Sequence, residues 1–74
     1  MKHYEYVVVY IENGIKSFYK IFDIVALSSI DALNQGHSRF IKSMSGDNIF
    51  RIKCNSYIIL SEKIRLVRNY SQNQ

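Results

Sequence analysis

The chain predicts a two-layer α+β domain, an antiparallel sheet of four to five strands with one helix packed on one face, in the order β-β-α-β-β. Three observations carry this. Residues 4–22 form two alternating runs about Glu12-Asn13-Gly14, residues 30–44 repeat apolar side chains at three- and four-residue steps, and residues 50–68 return to period two. At 74 residues there is room for one modest core. The expected organisation is a single domain over 1–70 with a polar tail over 71–74.

The opening hairpin holds the first functional signal. Tyr4, Tyr6, Val8 and Tyr10 alternate with Glu5, Val7, Val9 and Ile11; Lys16, Phe18, Lys20 and Phe22 alternate with Ile15, Ser17, Tyr19 and Ile21. Register decides which of these share a face, because a one-residue slip exchanges the faces. A two-residue Asn13-Gly14 loop sets Glu12 opposite Ile15 and Val7 opposite Lys20, which mixes lysines with aliphatics. A three-residue loop, with Gly14 at the left-handed position of a G1 bulge, sets Ile11 opposite Ile15 and Tyr6 opposite Lys20. This second register separates an aliphatic core face from an aromatic, basic outer face, and it is the expectation here.

The second strand continues to Leu27, and Ser28 and Ser29 end it. Ser28 with Asp31 forms a capping pair, and Asp31 also suits the positive end of the helix dipole. Ile30, Leu33, His37, Phe40 and Met44, with Ile41 beside them, make the expected buried stripe. Gly36 lies on it at a cost of roughly 1 kcal/mol relative to Ala, which close approach of helix to sheet would explain. Gly46 is the expected helix stop. Phe50, Ile52 and Cys54 then alternate with Arg51 and Lys53, and Asn55-Ser56 reads as a turn. Tyr57–Leu60, a second turn at Glu62-Lys63 and a strand over 64–68 complete the order.

The net charge of +4 is uneven. Residues 1–50 balance; Arg51, Lys53, Lys63, Arg65 and Arg68 then stand against Glu62 alone. An acidic partner follows, either a protein surface or nucleic acid. One cysteine, no signal-peptide core and no membrane-spanning apolar run make the cytoplasm the expected location. Usage rich in Ile, Tyr, Asn, Lys and Phe matches A/T-rich codons, as in phages and other mobile elements.

Catalytic chemistry has little to stand on. Cys54 reads as a small core residue, His37 lies on the apolar helical stripe, and His3 is near the terminus. No phosphate loop or metal-ligand spacing is present, so no enzyme activity, cofactor, metal or small-molecule substrate is expected. The expected function is a small protein-binding regulator or inhibitor that occludes an acidic partner surface or self-associates as a homodimer. Tyr4, Tyr6, Tyr10, Phe18 and Phe22 would supply contact area, and Lys16, Lys20, Arg51, Lys53, Arg65 and Arg68 would select the partner. The alternative is single-stranded RNA or DNA bound on the same face, with bases stacked on its aromatics.

Overall fold

The computed structural model describes residues 1–45 and 57–69. It is an α+β fold in which strands β1 (Lys2–Glu12) and β2 (Ile15–Ala26) precede helix α1 (Ser29–Ser45) and strand β3 (Tyr57–Asn69). The three strands form one antiparallel sheet in the order β2-β1-β3, so β1 is central. The helix lies across one side. The expected strand over 50–54, the Asn55-Ser56 turn, the Gly46 stop and the 71–74 tail lie outside the described residues.

The expected turn at Glu62-Lys63 does not form. β3 runs through it, with Glu62 opposite Val8 and Lys63 opposite Val7. Pairing along nearly the whole of β1 outweighs the turn tendency of that dipeptide. Register shifts beside Val9/Tyr10 and His3/Tyr4 let the long strand absorb its extra residues as bulges.

The hairpin also takes the register that the sequence reading set aside. Glu12 pairs with Ile15 across a two-residue loop in which Asn13 has φ 53° and Gly14 φ 82°. These are the two positive angles of a type I′ turn, whose twist matches that of the flanking strands. Asn and Gly both tolerate them, so no bulge at Gly14 is needed. The expected separation of an aliphatic face from a basic one is lost, since Lys20 stands opposite Val7 and Lys16 opposite Ile11. From Tyr4 to Tyr6, three residues of β1 span four of β2, Ile21 to Ile24, so β2 carries the bulge at Phe22-Asp23. The bulge resets the alternation, and Ile24 and Ala26 join Ile21 on the helix side.

The core therefore sits under α1 on the tyrosine side of β1. Tyr6, Val8, Ala32 and Phe40 are completely buried, with Tyr4, Tyr10, Ile21 and Ile24 close behind. The rings of Tyr10, Tyr19 and Tyr57 surround Phe40 at centroid distances of 5.0, 5.5 and 5.8 Å, in tilted and edge-on arrangements that aromatic pairs favour. Gly36 explains itself at the same place: a Cβ there would lie 2.4 Å from the Tyr6 ring.

The helix is rotated from its expected orientation. Ala32, Gly36, Phe40 and Met44 face the sheet, while Ile30 and His37 are exposed. Large tyrosine rings below demand small residues above, which places Ala32 and Gly36 inward and turns Ile30 out. The N-terminus closes as expected in its first half. The Ser28 hydroxyl accepts from the Asp31 N–H at 3.2 Å; the Asp31 carboxylate reaches past Ser28 to the Leu27 N–H at 3.4 Å. Gln35 adds a bond from its side-chain amide to the Val25 carbonyl at 3.2 Å, tying helix to strand.

Candidate binding face

With one helix on one side, the second side of the sheet has no covering layer among the described residues. Alternation places Val7, Val9 and Ile11 of β1 on it, together with Lys16, Phe18, Lys20 and Phe22 of β2. β3 contributes Ile58, opposite Ile11, as well as Lys63, Arg65 and Arg68. Phe18 and Phe22 are 70% and 71% exposed, and Ile58 63%. Val7, Val9 and Ile11 are half-buried by their neighbours on the central strand. The result is an apolar centre with a largely basic border.

Tyr4, Tyr6 and Tyr10 do not belong to this face. All three are buried beneath α1, where the even-numbered side of β1 packs against Gly36 and Phe40. Of the expected contact residues, Lys16, Phe18, Lys20, Phe22, Arg65 and Arg68 do share the open side. Arg51 and Lys53 lie outside the described residues. Sequence reading missed Val7, Val9, Ile11 and Ile58 as surface groups. The one signal in the sequence is the Asn13-Gly14 pair, whose type I′ register sets Lys20, Phe18 and Lys16 beside Val7, Val9 and Ile11.

Charge on the face is organised around Glu5. Its Oε1 accepts from Arg65 Nε at 3.2 Å and from a terminal guanidinium nitrogen at 2.9 Å, and Lys20 Nζ lies 3.9 Å from Oε2. One carboxylate thus links all three strands, as Arg65 stands opposite it on β3. Lys20 also sits 4.9 Å from the centroid of the Phe22 ring, a cation–π contact at the sheet edge. Asp23 pairs with His3, Nδ1 to Oδ1 at 2.7 Å. With Glu5 and Asp23 held in this way, the face still carries more cations than carboxylates.

The helix side carries polar contacts as well. His37 Nδ1 is 2.6 Å from Glu62 Oε2, an ion-pair geometry joining α1 to β3 in place of the expected buried histidine. The Tyr6 hydroxyl is buried and has no hydrogen-bond partner among the described residues. Its pKa is pushed up from 10.0 to about 12, first by burial and then by the nearby Glu62 and Tyr19. The phenol is therefore neutral at ordinary pH and is a structural group rather than a base. Among the described residues no three His, Cys, Asp or Glu side chains gather as a metal site. None of their helices is long and apolar enough to cross a membrane. No protein-family model, curated protein or solved structure matches the chain, so functional reading rests on this geometry.

Proposed function

We propose that the chain is a non-enzymatic protein-binding module, a regulator or inhibitor that works by occluding an acidic surface of its partner. The supporting observation is the open side of the sheet, where Val7, Val9 and Ile11 are flanked by the exposed Phe18, Phe22 and Ile58. An apolar centre inside a polar border is the usual anatomy of a protein interface, and its aromatics are the natural anchors. Lys16, Lys20, Lys63, Arg65 and Arg68 favour a partner rich in Asp and Glu. They also oppose stacking of two copies face to face, which would bring like borders together.

The same strand supports a second reading. Lys16, Phe18, Lys20 and Phe22 alternate cation with exposed ring, a pattern suited to phosphates and stacked bases. Burial of Tyr4, Tyr6 and Tyr10 removes most of the stacking area, and the aliphatic centre that remains suits protein better than bases. Fluorescence anisotropy with mixed-sequence single-stranded RNA and DNA, across salt, separates the readings. Protein binding predicts weak association that vanishes towards physiological salt. Tight, salt-resistant binding abolished by Phe18→Ala would instead establish the nucleic-acid function. In parallel, a protein retained by the wild type at raised salt should be released by Phe18→Ala and Phe22→Ala but not by Arg39→Ala on the helix.

A further inference from the structure

β2 is an edge of the sheet among the described residues, and its lysines alternate with exposed rings. Between the Asn13-Gly14 turn and the bulge at Phe22-Asp23, it runs in regular register with β1. The chain contains no proline to interrupt it. Glu12 and Ile15 close a two-residue loop as a hydrogen-bonded pair, so Ile15, Ser17, Tyr19 and Ile21 exchange bonds with β1. The N–H and C=O groups of Lys16, Phe18 and Lys20 therefore point away from the sheet. Such an edge is a template for another strand.

The side chains on this run are complementary about Tyr19, each lysine mirrored by a ring. Set antiparallel to itself there, it places Lys16 opposite the partner's Phe22 and Phe18 opposite the partner's Lys20. Every lysine meets a ring, Ser17 meets the partner's Ile21, and the Tyr19 side chains meet on the axis. Displacing one copy by two residues in one direction puts Lys16 against the partner's Lys20. Displacement in the other puts Lys20 against its own counterpart. Like charges directly opposite destabilise a strand pair. Edge lysines normally protect a sheet from association; here they reject the neighbouring registers and leave one that is self-complementary. Lys20 already lies over Phe22 within the chain, so this strand brings cation and ring together before any partner arrives.

We infer that two copies of the chain join edge to edge through β2, antiparallel and centred on Tyr19, into one continuous six-stranded sheet. Antiparallel pairing keeps both helices on the same side. The two open faces then merge into a single basic surface of double width. The inference goes beyond the protein-binding reading: strand pairing uses the backbone edge of β2, and although Lys16, Phe18, Lys20 and Phe22 also line the open face, association of the purified chain is measured with no other protein present.

Sedimentation of the full chain from micromolar to near-millimolar concentration should show a monomer–dimer equilibrium. Phe18→Lys sets lysine against the partner's Lys20 at two symmetric positions and should weaken the dimer by about tenfold or more. Combining Phe18→Lys with Lys20→Phe restores lysine against ring at unchanged net charge and should recover wild-type association. In a Cys54→Ser background, Tyr19→Cys should form an intermolecular disulfide on oxidation with diamide. Cα atoms of a non-hydrogen-bonded antiparallel pair lie about 4.5 Å apart, within disulfide reach. Ser17→Cys should not cross-link, because the two copies of position 17 lie on opposite sides of the axis. Circular dichroism checks that each variant is folded, and the charge exchange decides the matter if Tyr19→Cys is not. A chain that stays monomeric overturns the proposal. So does a dimer that Phe18→Lys leaves intact or the exchange fails to rescue, or one cross-linked through position 17 in place of 19.

Discussion

The two sides of the sheet differ in a way that hydrophobicity alone does not explain. On β1 the side under the helix carries Tyr4, Tyr6, Val8 and Tyr10; the open side carries Val7, Val9 and Ile11, which are more aliphatic. The tyrosine side is buried, and the aliphatic side has no covering layer among the described residues. Rings reach far from the strand and fill the gap to a helix whose facing positions are small. The ring of Tyr6 fits against Gly36, and Tyr10, Tyr19 and Tyr57 close around Phe40. Shape complementarity between layers thus decides which face is the core.

This contrast breaks most visibly at Phe40. Phe40→Ala removes the hub of the aromatic cluster and should destabilise the fold by about 3–5 kcal/mol in urea denaturation. Gly36→Ala comes next, because the added methyl must displace the Tyr6 ring. Overpacking of about 1–3 kcal/mol should outweigh the roughly 1 kcal/mol gained in helix propensity. If the substitution stabilised the protein, the close approach of α1 to β1 would be wrong.

Tyr6→Phe sharpens the same side from the opposite direction. Removing a buried hydroxyl without a partner should raise stability by about 1 kcal/mol, visible as a higher denaturation midpoint at constant slope. Because folding raises the phenol pKa, wild-type stability linked to Tyr6 is complete below pH 10 and is lost as pH climbs from about 10 towards about 12. That part of the alkaline decline should disappear in Tyr6→Phe.

The open side should show the smallest effects on folding. Phe18→Ser and Phe22→Ser should alter stability within about 0.5 kcal/mol, while the protein-binding reading requires them to abolish partner capture. A large loss of stability in either would mean that the face is covered.

The sequence by itself determined the elements that local chemistry controls. The α+β class, the opening hairpin, the Ser28 cap, the helix over 29–45 and the reason for Gly36 could all be read from spacing and residue type. Those features depend on neighbours within a few positions, where backbone sterics and capping bonds act. Only the tertiary structure decided which side of β1 is the core, that β3 passes through Glu62-Lys63 as a strand, and that His37 faces Glu62 at the surface. An alternating strand whose two sides are both apolar contains no local preference for either. A bulge at Phe22-Asp23 and the rotation of one helix then settle the choice, because packing energy is set by the shapes that meet across the layers.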